Sequence, residues 1–277
     1  MLKLMYITND QDVARIAENA GVDRIFVDME YIGKDLRQGG MDTVQSHHTV
    51  EDVKKIKSEL TKAELLVRIN PIHEATNEYC SSAEEIEQVI EAGADIIMLP
   101  FFKTRKEVAN FLQCVDGRVK TMLLVETPEA VECIDEIIEL PGIDEMYIGL
   151  NDLSLGYGMK FMFQLLADGT VEKLSLKFKQ KNLPYGFGGI AALGKGMLPA
   201  EYVIKEHHRL GSTCAILSRS FCNMSLNMDL KRVQNIFKKG IQDIRGLEQE
   251  CEQNKQCLEE NEKEIREQIT KILDSIV

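Results

Sequence analysis

The sequence predicts an α/β protein: a (β/α)8 TIM barrel followed by a C-terminal helical extension of coiled-coil character. Three observations carry this. Eight short, β-rich apolar runs alternate with helical patterns up to about residue 218, the signal of repeated βα units. Those runs are apolar nearly throughout, as expected of a parallel sheet covered on both faces. Beyond residue 237 the pattern changes to an apolar residue every seventh position. A chain of 277 residues suits one barrel domain, residues 1–228, and a helical extension, residues 229–277.

In chain order, the run 3–8 leads to a helical pattern over 11–20 that closes on Gly21. The run 24–29 is followed by a polar connection, 30–49, carrying Gly33, Gly39, Gly40, His47 and His48. Thr49 then caps a helix over 50–60, and the run 65–69 precedes a helix over 83–92 closed by Gly93. The run 96–101 pairs with a helix over 106–113, and 122–126 with a helix over 128–138. After the run 145–150 comes a long connection, 156–182, with an Asp168-Gly169 turn signal and a helical segment over 161–180. The run 185–190, a helix over 200–210 closed by Gly211, and the run 214–218 complete eight units. Connections this long at a barrel rim are normally lids or site walls, the alternative being plain surface insertions.

In the tail, Phe237, Ile244, Cys251, Leu258, Ile265 and Ile272 form the seven-residue stripe, joined by Leu247, Ile269 and Ile276. Asn254, Asn261 and Gln268 fall near the second seam position, where polar residues set register and oligomer state. The stripe predicts self-association into a homo-oligomer; the alternative is a long helix folded against its own barrel.

A formal net charge of −12 opposes binding to nucleic acid or to anionic membrane surfaces. No apolar run approaches the roughly 20 residues that span a bilayer, and the opening apolar stretch is too short for a secretory signal. Seven cysteines without CxxC spacing suggest reduced thiols. A soluble, cytoplasmic protein with neither nucleic-acid nor membrane partners is expected.

Chemistry concentrates at the strand ends. Glu126 closes the fifth run and Asp152 follows the sixth, so a parallel barrel puts both carboxylates on one rim. Two oxygen ligands with an open coordination sphere suit a hard divalent cation; the alternative is that the acids cap helices. Arg68 ends the third run, where its fork suits a carboxylate or enolate oxygen, or a structural pair with Asp28 or Glu30. Gly149, Leu150 and Asn151 offer backbone for close approach of a ligand. His48 and His47 are the proton-transfer candidates of the long second connection, or else solvent-facing residues before the Thr49 cap. Gly186-Phe187-Gly188-Gly189 has neither P-loop nor dinucleotide-binding spacing.

The ordered motifs Val27-Asp28-Met29-Glu30, Val67-Arg68-Ile69-Asn70-Pro71, Leu99-Pro100, Glu126-Thr127 with Ala130-Val131, and Ile148-Gly149-Leu150-Asn151-Asp152-Leu153-Ser154 resemble a known family. It is the hydroxy-oxo-heptanedioate aldolase/citrate lyase β-subunit family of phosphoenolpyruvate/pyruvate-binding barrels, matched over about residues 5–222. The resemblance implies a Mg²⁺- or Mn²⁺-dependent aldolase, a carbon–carbon lyase that acts on a 2-oxo acid through a pyruvate-type enolate, with an aldehyde as its other partner. It implies Glu126 and Asp152 as metal ligands, Arg68 as the contact to the keto or enolate oxygen, and Gly149 to Asn151 as the holder of the substrate carboxylate. Two positions depart from the pattern. Tyr31 stands where the family carries a histidine, and Leu124 where it carries a glutamine. The proton carrier then falls to His48 or His47. The alternatives are a CoA-ester or citrate-type lyase or condensing enzyme on the same barrel, and an inactive barrel serving as an assembly subunit.

Overall fold

The computed structural model of the chain describes residues 1–34, 46–224, 229–254 and 256–276. Gly39 and Gly40 of the second connection, and the expected domain boundary at 228, lie at or beside positions outside the described residues. Eight parallel strands close into a barrel in sequential order: β1 (Lys3–Ile7), β2 (Arg24–Asp28), β3 (Glu64–Arg68), β4 (Ile96–Leu99), β5 (Lys120–Val125), β6 (Glu145–Ile148), β7 (Tyr185–Ile190) and β8 (Cys214–Leu217). Each coincides with one of the eight expected runs to within about two residues.

The helices that follow are α1 (Gln11–Ala20), α2 (Val50–Glu59), α3 (Ser82–Glu91), α4 (Arg105–Val115), α5 (Pro128–Glu132) and α6 (Ile134–Ile137). Then come α7 (Leu150–Gly156), α8 (Gln164–Ala167), α9 (Thr170–Gln180) and α10 (Ala200–Leu210). Capping boxes start three of them, pairing Thr49 with Asp52, Ser81 with Glu84 and Thr104 with Glu107. The helix expected over 128–138 is interrupted at Cys133. The segment expected over 161–180 is split by Gly169, whose left-handed backbone (φ 82°) turns the chain between α8 and α9. The sixth run stops early because Leu150 already begins α7.

Strand alternation sorts the core into two compartments. Leu4, Ile25, Val27, Leu65, Val67, Ile97, Leu123 and Ile148 face the helices. Met5, Phe26, Leu66, Met98, Met122, Leu124 and Tyr147 fill the barrel interior. At the base of that interior lies Arg24, fully buried and bidentate on Glu145 at 2.8 and 2.6 Å, with its Nε donating to Glu64 at 2.9 Å. The register aligns Arg24 with Glu64 and Asp28 with Arg68, so β2 and β3 carry one ion pair at each end.

The tail forms two helices, α11 (Leu230–Gln253) and α12 (Gln256–Ile276). Most of the seven-residue stripe packs on the chain's own barrel, which is the alternative of a long helix folded against it. α11 lies against α1 and α10, and α12 against α10 and α8. Phe237, Ile244, Cys251, Ile265 and Ile269 are buried within the same core as the barrel's outer layer, while Ile276 is exposed. Phe237 meets Tyr6 edge-on at 4.8 Å and Phe221 at 5.4 Å. Gly240 permits the approach, since a Cβ there would stand 2.6 Å from the Phe221 ring. Asn261, expected as a seam residue, is buried and donates to the Tyr202 carbonyl and Glu206, both on α10.

A polar latch completes the docking. The buried Glu248 carboxylate accepts from the Leu2 amide at 2.6 Å and from Arg245 at 2.7 Å, with His208 at 3.4 Å. Arg245 also reaches the Leu2 carbonyl and Asp23. Burial pushes Glu248 up, but its contacts with His208, Arg245 and the Leu2 amide prevail and hold it at about 2, below the ordinary 4.5. A carboxylate with a depressed folded-state pKa stabilises the fold above its unfolded value and loses that contribution as pH falls toward the folded one. Thermal melts should therefore show a loss between about pH 4.5 and 2 that Glu248→Gln flattens, together with a drop of roughly 2–6 °C at neutral pH. Parallel profiles for the two proteins would assign the latch no role.

Candidate active site

The alternation that fills the barrel with apolar side chains also delivers its charged ones. Two residues beyond Phe26 on β2 comes Asp28; two beyond Leu66 on β3 comes Arg68; two beyond Leu124 comes Glu126. Beyond Tyr147 the equivalent place is Gly149, and Asp152 follows in the first turn of α7. These residues meet around a cavity of about 650 Å³ at the C-terminal mouth of the barrel, where Lys34 and His48 also reach the wall.

Asp28 organises one side of this cavity. Arg68 grips it with both branches of its fork, Nε to Oδ1 at 2.8 Å and a terminal nitrogen to Oδ2 at 2.7 Å. The guanidinium lies 5.6 Å above the Phe26 ring and 3.4 Å from Glu30 Oε2. Both structural pairings open to Arg68 from sequence thus exist at once. Lys34 is buried to 4% exposure, donates from Nζ to Asp28 Oδ2 at 3.0 Å and lies 3.5 Å from Glu30 Oε2. Burial works to raise the Asp28 carboxyl, but Arg68 and Lys34 hold it far below the usual carboxylate range. Nothing in the local sequence pattern foretold the burial of Lys34, which stands in a polar connection.

The backbone N–H of Asp28 donates to His48 Nδ1 at 3.0 Å. Nδ1 is therefore an acceptor, and the proton of the neutral ring sits on Nε2. Burial lowers the His48 pKa, which favours that neutral form. His47 is exposed and is not among the residues lining the mouth. Tyr31 faces a separate chamber of about 180 Å³, its ring 5.4 Å from Tyr79. Asn70 imposes that direction: its side-chain oxygen accepts the amides of Tyr31 and Ile32 at 3.0 and 2.9 Å, while its Nδ2 donates to the buried Glu85.

Glu126 and Asp152 line the same cavity and also border a second groove of about 510 Å³. Glu126 Oε1 accepts the amide of Phe101 at 2.9 Å, an amide aimed by a left-handed backbone (φ 48°) that is sparsely populated for a bulky residue. Gly149 closes on the other oxygen: a Cβ there would stand 2.8 Å from both Oε2 and Cβ of Glu126. The Gly149 amide itself donates to the Val125 carbonyl, so it ties β5 to β6. Leu150 and Asn151 line the cavity beside it. Burial, then the charges of Glu30 and Asp152, push the Glu126 carboxyl well above the ordinary value.

Around this mouth the acids Asp28, Glu30, Glu126 and Asp152 stand with the bases Lys34, Arg68 and Arg219, a formal surplus of one negative charge. The donor set fits a divalent cation. Among the described residues no three His, Cys, Asp or Glu side chains converge to hold a metal.

Comparisons with known proteins place the chain among relatives. The sequence model of HpcH/HpaI aldolase/citrate lyase matches residues 3–162, more than half of the chain. A hydroxypyruvate/pyruvate aldolase from Sagittula stellata is 23% identical over 28% of this chain and 42% of its own length, so the match spans less than half of that curated relative. Among solved structures, an HpcH/HpaI aldolase from Desulfitobacterium hafniense superposes with a TM-score of 0.59 at 17% identity, covering 88% of this chain and 93% of that one. A family protein from Burkholderia cenocepacia gives 0.59 at 16% identity, with 84% and 94% covered. A citrate lyase from Burkholderia xenovorans gives 0.57 at 13% identity, with 86% and 77% covered; at these identities the likeness speaks for the fold. With the family model matched over more than half of its length, the chain belongs to the HpcH/HpaI aldolase/citrate lyase family.

Proposed function

We propose that the chain is a divalent-metal-dependent carbon–carbon lyase that cleaves or forms a bond next to a 2-oxo acid through a pyruvate-type enolate. The observation that carries this reading is the buried Glu126–Asp152 pair facing Arg68 across one cavity. A Mg²⁺ or Mn²⁺ ion held by these two carboxylates would polarise the 2-oxo group as a Lewis acid. Arg68 sets positive charge where the enolate oxygen develops, with the outer N–H groups of its fork turned from Asp28. Gly149, Leu150 and Asn151 supply the wall against which the substrate carboxylate rests. His48 contributes a hydrogen-bond donor at Nε2, because its other lone pair is already taken by the Asp28 amide. In that tautomer it orients an aldehyde or hydroxyl oxygen rather than removing a proton. The name of the Sagittula stellata relative supports a 2-oxo acid over a CoA ester as the substrate class.

Titration calorimetry with Mg²⁺ and Mn²⁺ tests the pair: Glu126→Ala and Asp152→Ala should each weaken binding by more than about tenfold. The same variants should lose metal-dependent exchange of the pyruvate methyl protons into D₂O, followed by NMR. Unchanged affinity in both variants would sink the metal site, and a parent protein without exchange would sink the enolate chemistry.

Gly149→Ala probes the seat of Glu126 without touching a ligand. The added methyl must displace the carboxylate, so metal affinity should fall about 10–100-fold while the circular dichroism spectrum is kept. Parental affinity would mean that the Glu126 seat yields freely.

A further inference from the structure

We propose that Lys34 is a positioning residue that makes Arg68 able to attract an anion, by neutralising the acids to which Arg68 is bound. The inference rests on the enolate reading above and deepens it.

The difficulty it resolves is visible in the contacts. Arg68 is the guanidinium set toward substrate, yet it is bidentate on Asp28 and lies 3.4 Å from Glu30. One cation between two buried carboxylates leaves a net negative group, and an oxyanion approaching it would be repelled. Lys34 corrects the sum. Its Nζ shares Asp28 Oδ2 with Arg68 and stands 3.5 Å from Glu30 Oε2, so the four side chains are formally neutral. Asp28 Oδ1 is occupied by Arg68 Nε and the Glu30 amide, which leaves Oδ2 as the oxygen the two cations divide. Lys34 is 4% exposed, so its charge is little screened by solvent. It also lines the cavity that Glu126 and Asp152 border. A lysine buried this deeply would ordinarily cost more than its packing returns. Here it lies beside Asp28 and Glu30, whose two charges exceed the one on Arg68.

The test uses the full chain with Mg²⁺ and with oxalate, a planar dianion shaped like a pyruvate-type enolate. Lys34→Met keeps the length of the side chain and removes its charge; Lys34→Met/Glu30→Gln removes one acid as well and restores neutrality. At saturating Mg²⁺, Lys34→Met should bind oxalate about tenfold more weakly, with Mg²⁺ affinity kept or raised, and the double variant should return to within about threefold of the parent. A purely structural lysine would instead weaken Mg²⁺ and oxalate together and would not be rescued by Glu30→Gln. If Lys34→Met does not fold, the double variant decides alone: near-parental oxalate affinity upholds the charge balance and a loss overturns it. Parental oxalate affinity in folded Lys34→Met, or equal losses in both variants, would overturn the role of Lys34 with the enolate reading intact. A parent that binds neither Mg²⁺ nor oxalate would overturn both.

Discussion

The site depends on one pairing, Asp28 with Arg68, set by the register of β2 against β3. Strand neighbours in a parallel barrel share a level, so the two side chains meet at the rim and lock at 2.8 and 2.7 Å. From that lock the rest of one wall is hung. The Asp28 carboxylate receives Lys34, and its backbone amide fixes the tautomer of His48. Three nitrogen groups of different chemistry are thereby oriented by a single aspartate.

The barrel interior shows why charge is affordable at its ends and nowhere between. Arg24, Glu64 and Glu145 close the base through a matched set of hydrogen bonds, and a layer around Phe26, Leu66, Leu124 and Tyr147 separates them from the mouth. A buried ion pair adds little net stability, but removing one partner costs about 3–5 kcal/mol, because the other is left desolvated and alone. The base is satisfied. The mouth is not: burial first, and then the charges of Glu30 and Asp152, push Glu126 up. That difference separates the closed base from the mouth where the cation and anionic substrate are proposed to bind.

The tail illustrates how a periodic pattern underdetermines its partner. An apolar residue at every seventh position is buried equally well by a second helix or by a continuous groove on the same chain. The groove exists here because α1, α10, the β1 segment and the turn after β8 leave Leu2, Tyr6 and Phe221 to be covered. The latch of Glu248 and Arg245 onto the first residues of the chain then fixes where the tail lies. Asn261 serves register as a polar seam residue would, with α10 as its counterpart.

By itself the sequence determined the barrel, its eight strands and the places of Glu126, Asp152, Arg68 and Asp28 at strand ends. These follow from local periodicity, which a parallel sheet converts directly into facing and level. Tertiary structure alone decided what each of those groups touches. Arg68 proved to hold both acids between which the sequence left a choice, because neighbouring strands and the following turn bring Asp28 and Glu30 to it together. Lys34 and His48 come from an irregular connection, where no period relates sequence position to direction, so Lys34 passed unnoticed and His48 could not be told from His47. Tyr31 was legible as a departure, but its turn away from the mouth depends on Asn70 and Glu85, distant in the chain. Regular elements carry their geometry in their spacing; connections acquire theirs only from what they fold against.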